Sequence, residues 1–280
     1  MRRLFSCLLL AACGAPEGGL PDVSDVWSDA VPYDVQETIR FTTDDYDLAG
    51  TGTTIGAMKD ELLPTDNGDL LLASGDGYAS EAACSGVRTT ADLPVEVEGI
   101  VTLHPRWYMK LGGCNGADEK YYGNYFIEDD STGIFVVGDS KVAHFDMGDR
   151  VTLRVRGVRT NFGYDMIYVH DVVDVNREAR PIKYAWANEG ITSEDAGEVR
   201  RVRGEMITEP DTFGEFTVLT DEGVEVNVNL DAEINRRRQY PEVGSTLCAT
   251  GPVQNSFGLS IVIMRLGQIA VVEGDAPCPD

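Results

Sequence analysis

Basic residues are scarce in this chain: 23 lysines and arginines stand against 47 aspartates and glutamates in 280 residues, a formal charge of −24. Duplex nucleic acid is held largely through neutralised phosphates, so a body this acidic repels it at long range, and it is not an expected partner. Histidine is nearly absent, at three residues (His104, His144 and His170), and the six cysteines show no CxxC spacing. A zinc-type ligand set has no support, and no metal or other cofactor is expected. Catalytic signatures are missing as well: there is no GxSxG elbow, no HExxH, no P-loop and no glycine-rich dinucleotide turn. That argues against an enzyme. Long apolar runs are also lacking. The segment Leu4–Leu10 is far shorter than the ~20 residues that span a bilayer, and no later run approaches that length.

What is present starts with MRRLFSCLLLAAC: two arginines, a short apolar segment and a small-residue cleavage site ending in cysteine. This pattern resembles the lipobox of bacterial lipoproteins. The resemblance implies that residues 1–12 are a signal peptide removed on export and that Cys13 is the lipidated first residue of the mature chain. It also implies a cell-envelope protein held to a membrane by lipid, periplasmic or exposed at the surface. Gly14, where an aspartate would favour the inner membrane, implies an outer-membrane lipoprotein. Without residues 1–12 the chain carries 21 basic against 47 acidic residues, a formal charge of −26.

Residues 13–32 are rich in Gly, Pro and Asp and read as a flexible tether. Residues 33–94 are mixed, with TIRF strand-like, IGAMKDELL helical and DNGDLLLASGDGY punctuated by turns. They read as a small N-terminal extension packing on the domain that follows. The acidic groups Asp44, Asp45, Asp47 and Asp66, Asn67, Asp69 lack the twelve-residue spacing of a calcium loop and read as solvated turns. Cys7 leaves with the signal and Cys13 takes the lipid, so Cys84, Cys114, Cys248 and Cys278 remain as disulfide candidates in an oxidising compartment. Three pairings are open. Cys84 with Cys114 and Cys248 with Cys278 is favoured, because each bond then ties a domain to its own flanking segment.

From residue 95 the chain repeats itself. VEVEGIVT, GNYFIEDDSTGIFVV, MGDRVTLRVRGVRTNFG and MIYVHDVVDV are echoed by RRVRGEMIT, FGEFTVLTDEGVEVNVNL, VGSTLCATGPVQNSFG and SIVIMRLGQIAVV. The period is about 90 to 105 residues. Val97 and Gly99 match Val202 and Gly204, Gly133 matches Gly223 in a turn that asks for a permissive backbone, and Gly157 matches Gly251. Each copy holds five runs alternating with period two; Val224, Val226, Val228 and Leu230 oppose Glu225, Asn227 and Asn229, for example. The least strand-like piece falls after the third run, and in the second copy DAEINRRRQYPEVG reads as a short helix ended by Pro241. Five strands with an insertion after the third is the order of an OB fold. The chain is therefore expected to be all-β, with two tandem five-stranded OB-fold barrels at residues 95–180 and 181–280.

GNYFIEDDSTGIFVV followed by GDRVTLRVRGVR, with the weaker echo VLTDEGVEVNV and VGSTLCATGPV, resembles the OB-fold modules of secreted bacterial nucleases and uncharacterised cell-envelope lipoproteins. The resemblance covers roughly two thirds of the chain. It implies a binding module, and two such modules leave no room for the separate catalytic domain those nucleases carry.

OB folds take ligands on the face of strands two and three and on the loops between strands one and two and between strands four and five. In the first module the first of these loops, HPRWYMKLGGCNGADEKYYGN, carries Trp107, Tyr108, Tyr121 and Tyr122, and the second carries Phe162 and Tyr164. Aromatic planes stack on sugars and bases alike, so these six are the ligand-binding candidates; the alternative reading is that they cover the barrel mouth or pack on residues 33–94. Arg150, Arg154 and Arg156 alternate with Val151, Leu153 and Val155 and are expected to pair with Glu96 and Glu98 across the barrel seam rather than to track phosphates. The reading is a membrane-anchored, non-catalytic binding or assembly module for a glycan or an envelope protein. The alternative is a single-stranded nucleic-acid binder or an accessory of an extracellular nuclease.

Overall fold

The structure is a computed structural model that describes residues 39–48, 52–63, 70–75, 86–105, 107–112, 118–137, 145–161, 164–177, 179–255 and 258–279. The expected signal peptide, Cys13 and the tether lie outside these residues, as do Cys84 and Cys114. The extension supplies β1 (Phe41–Thr42), α1 (Ile55–Leu62), β2 (Leu70–Ala73) and β3 (Val87–Thr90). Apolar residues at i, i+3 and i+7 make α1 amphipathic, and Ile55, Met58 and Leu62 join the first barrel's core. Thr54 caps the helix by accepting the Ala57 N–H at 3.2 Å. β2 pairs antiparallel with Gly157–Arg159 and parallel with β3, so the extension widens the first barrel's sheet.

The first barrel contains β4 (Val95–Val101), β5 (Trp107–Gly112), β6 (Asp118–Glu128), β7 (Gly133–Val137), β8 (Arg150–Asn161) and β9 (Tyr164–Asn176). β4 pairs with β6, β6 with β7, β7 in parallel with β9, β9 with β8, and β8 back with β4. The ring closes with the 1-2-3-5-4-1 order of an OB barrel, and β5 stands outside it as a ribbon on β6. Alternation sends Val97, Tyr125, Ile127, Ile134, Val136, Val151, Leu153 and Val155 into the core.

Two short strands, β10 (Ile182–Lys183) and β11 (Ala185–Trp186), lead onward; β10 lies parallel to β1 and β11 parallel to the strand after it. The second barrel is β12 (Val199–Met206), β13 (Glu215–Thr220), β14 (Glu225–Leu230), β15 (Thr246–Asn255) and β16 (Leu259–Ile263), with α2 (Ala232–Arg236) after its third strand and β17 (Ile269–Val271) added to β15. Its pairings repeat those of the first, including the parallel contact of third and fifth strands. Both copies are therefore OB barrels. The helix ends at Arg236, before Pro241, and the chain turns at Arg238 with φ of 54°. Cys248 and Cys278 form a disulfide that holds the C-terminal tail to β15.

Ladder register corrects two sequence matches. Val97 faces Leu153 and Val202 faces Ala249, so Gly157 is equivalent to Val253 rather than to Gly251. Irregularities in the β8–β9 ladder between Thr152 and Gly157 accompany the longer strand. Gly223 does sit in its turn with φ of 79°, whereas Gly133 is a strand residue with another task.

Candidate ligand-binding surfaces

In the first barrel the expected long loop is largely a β-ribbon. Trp107 and Tyr108 lie on β5 and Tyr121 and Tyr122 on β6, with Trp107 opposite Asn124 and Met109 opposite Tyr121. The loop reading missed this because a ribbon and a long loop share turn-rich composition. Tyr164 opens β9 opposite Asn161, and the connection carrying Phe162 lies outside the described residues.

The outer face of β6 and β7 is closed. Asn124, Phe126, Glu128, Phe135 and Val137 alternate with core residues and so point outward, yet all are buried. Phe126 and Phe135 meet edge to face at 5.1 Å between ring centroids. Contacts to the second barrel ring this face. Glu128 Oε2 accepts the Val199 N–H at 3.1 Å, and Asp146 Oδ2 accepts from Arg265 at 2.8 Å. A Cβ on Gly133 would lie 2.0 Å from the Gly197 carbonyl oxygen, so the barrels touch backbone to backbone there. The surface that OB folds commonly give to ligands is, in this barrel, an internal interface.

The corresponding face of the second barrel is open. Outward from β13 and β14 stand Glu215, Thr217, Leu219, Glu225, Asn227 and Asn229, none of them buried. Thr217 Oγ1 donates to Asn227 Oδ1 at 3.3 Å. At the edge, in the connection between β12 and β13, Phe213 is 81% exposed. Its turn is built, not loose. Asp211 Oδ1 accepts the N–H groups of Phe213 and Glu215 at 2.8 and 2.9 Å, Asn235 Nδ2 donates to the Asp211 carbonyl at 2.8 Å, and Gly214 takes φ of 88°. Burial, then the neighbouring Asp211, raises the Glu215 carboxyl above its ordinary pKa. Sequence reasoning missed Phe213 because aromatic residues are denser in the first copy. The available signal was the run of asparagines on the polar face of VEVNVNL.

A second concavity, of about 260 Å³, opens where β6, residues 43–45 and Lys183–Ala185 meet. Lys183 Nζ stands 3.6 Å from Asp45, 4.0 Å from Glu128 and 4.0 Å from Asp130. Burial pushes the Glu128 carboxyl up to about 8, against the downward pull of the Val199 N–H and Lys183. Tyr46 ties two of the lining residues together: its hydroxyl accepts the Lys183 N–H at 2.7 Å and its own N–H donates to Asp130.

Arginines serve the fold. Arg154 bonds Glu96 at 2.8 Å and lies 3.4 Å from Asp171, and Arg150 stands 3.8 Å from Glu98, the cross-strand pairing expected from sequence. Arg200 binds Asp195 and Glu198, and Arg203 binds Asp221 and the Gly274 carbonyl. Arg201 is buried, its guanidinium 3.9 Å from the Tyr184 ring centroid and 4.9 Å from that of Phe41. Among the described residues no cluster of three or more His, Cys, Asp or Glu is arranged to hold a metal ion, and no helix is long and apolar enough to cross a membrane.

No family model matches the chain, and no curated protein matches it. Among solved structures it is similar to fission yeast Pot1 with ssDNA, at 12% identity over 66% of this chain and 85% of that one, TM-score 0.31. The tetrameric p202 HIN2 is similar at 13% identity, covering 63% and 91%, TM-score 0.26. A deletion mutant of the single-stranded DNA binding protein from Thermus aquaticus follows at 10% identity, covering 65% and 96%, TM-score 0.23. At these identities and scores the likeness transfers neither ligand nor residue roles.

Proposed function

We propose that this protein is a non-catalytic binding module of the cell envelope, anchored through lipid on Cys13, that holds a glycan or an extended protein segment on the β13–β14 face. The observation that carries this reading is the open face itself. It offers amide and hydroxyl groups in Thr217, Asn227 and Asn229 and an exposed ring, Phe213, fixed by a hydrogen-bonded turn. Neutral hydrogen-bonding groups beside an aromatic plane suit sugars and peptide backbone. The charges on this loop and face are Glu209, Asp211, Glu215 and Glu225, which oppose a phosphate backbone. Trp107, Tyr108, Tyr121, Tyr122, Phe162 and Tyr164 on the first barrel belong to the same proposal as a second contact region.

The test is titration of the purified full chain with neutral oligosaccharides, extended peptides and a short oligothymidylate at low and raised salt. Expected is a neutral ligand whose affinity is insensitive to salt and falls roughly tenfold in Phe213→Ala, as loss of a stacking platform costs. Trp107→Ala and Tyr121→Ala measure the first-barrel share. Binding of oligothymidylate alone, weakening steeply with salt, would replace this reading with the single-stranded nucleic-acid one. Full affinity for every ligand in all three variants would remove the aromatic sites from consideration.

A further inference from the structure

We infer that the concavity around Lys183 is a second ligand site, separate from the β13–β14 face, that takes the hydroxyl groups of a single sugar ring. It rests on the glycan form of the reading above for the class of ligand, but not for the place or the residues.

The first observation is the ammonium group. Lys183 carries three N–H donors, its side chain is only 18% exposed, and yet the Asp45, Glu128 and Asp130 oxygens stand at 3.6, 4.0 and 4.0 Å. Those are ion-pair distances that leave the donors without a hydrogen-bonded acceptor among the described residues. The second is the state of the carboxyl groups. Glu128 uses Oε2 for the Val199 N–H, and Asp130 uses Oδ1 for the Tyr46 N–H. Glu128 Oε1 and Asp130 Oδ2 have no such bond. Unused donors and acceptors therefore surround one cavity of about 260 Å³, whose wall adds the hydroxyl of Thr43, those of Ser131 and Thr132 being already bonded to Asp129 and to Glu198.

Charge narrows the class of ligand. A divalent cation would meet the ammonium between the carboxylates, and an anion would face the carboxylates of Asp45, Asp130 and Glu198, beside a Glu128 that burial holds toward its neutral form, with Arg200 already bound to Asp195 and Glu198. A hydroxyl both accepts from Lys183 and donates to a carboxylate, at no cost in net charge. The volume is below the ~300–1,000 Å³ of drug-sized sites, which admits one ring or the end of a chain.

The experiment titrates the full chain with D-glucose, D-galactose and N-acetyl-D-glucosamine, followed by saturation-transfer NMR and calorimetry, with calcium chloride and sodium acetate as separate arms. Expected is saturable binding of at least one monosaccharide, weakened about tenfold by Lys183→Met and by Asp130→Asn, and unchanged in Phe213→Ala. Asp45→Asn, at a side chain 85% exposed, gives a variant whose folding is not at risk and is expected to weaken binding in the same direction. Binding of calcium or acetate alone, no binding of any monosaccharide, or full affinity in all three pocket variants would overturn the inference. Loss of monosaccharide binding in Phe213→Ala with retention in the pocket variants would overturn it while leaving the proposed face standing.

Discussion

Glu128 joins the barrels and at the same time sets a pH dependence. Its carboxyl is buried between the Val199 N–H and Lys183, faced also by Tyr46, Asp130, Glu198 and Arg200, and burial lifts it from an ordinary 4.5 to about 8. Between these values the unfolded chain has released the proton and the folded chain keeps it, so folding stability falls as pH rises, by about 1.4 kcal/mol for each unit of the window. The loss is complete above about pH 8, where both states are ionised. Glu128→Gln keeps an acceptor for Val199 and cannot ionise. It is expected to remove most of this slope, leaving the variant more stable than the parent at alkaline pH. Chemical denaturation of both proteins across the window checks this; a constant difference between them at every pH would assign the slope elsewhere.

Among the elements, α1 depends on a turn far away in sequence. Asp129 Oδ2 accepts the Ile55 N–H at 2.7 Å, its Oδ1 accepts from Ser131 and Thr132, and Ser131 Oγ accepts the Gly56 N–H at 2.8 Å. Two of the helix's unpaired N-terminal donors are thus satisfied by the β6–β7 turn, which also pins Ile55, Met58 and Leu62 over the barrel. Asp129→Ala is expected to cost about 1–2 kcal/mol, in the range of a lost cap, and to raise amide exchange first over residues 55–62. Uniform exchange across the whole first barrel would mean that helix and barrel open together. Gly133 belongs to the same scale. It pairs with Glu128 in the β6–β7 ladder, so a residue read from sequence as a turn glycine lacks a positive φ, and its missing side chain lets the Gly197 backbone approach instead.

For the molecule as a whole, residues Gln36–Asp280 form one compact unit in which the two barrels share the seam at Glu128, Gly133 and Asp146. The C-terminal tail closes over the second barrel through Cys248–Cys278, across 30 residues of sequence. Loop-closure entropy for a bridge of that span is worth about 3.5 kcal/mol. Cys248→Ser with Cys278→Ser is expected to lower stability by that order in guanidinium unfolding, while the strand content seen by circular dichroism stays unchanged. An unaltered midpoint would show that the tail adds nothing to the barrel.

The amino-acid sequence by itself determined the two barrels. Period-two alternation, the spacing of turns and the repeated order of landmarks are local properties, and each copy holds enough of them to fix five strands and the place of the insertion. The pairing of Arg154 with Glu96 was legible for the same reason, since both follow from strand order and side-chain alternation. Only the tertiary structure decided which OB face is open. Phe126 and Phe213 are both outward-lying aromatics, and one is buried while the other is 81% exposed, because Gly197, Val199 and Arg265 meet the rim of the first barrel's face and nothing covers Phe213 among the described residues. The Lys183 site was likewise invisible in sequence, because its groups come from residues 45, 128, 130 and 183, and only closure of the chain over those separations brings their charges within 4.0 Å.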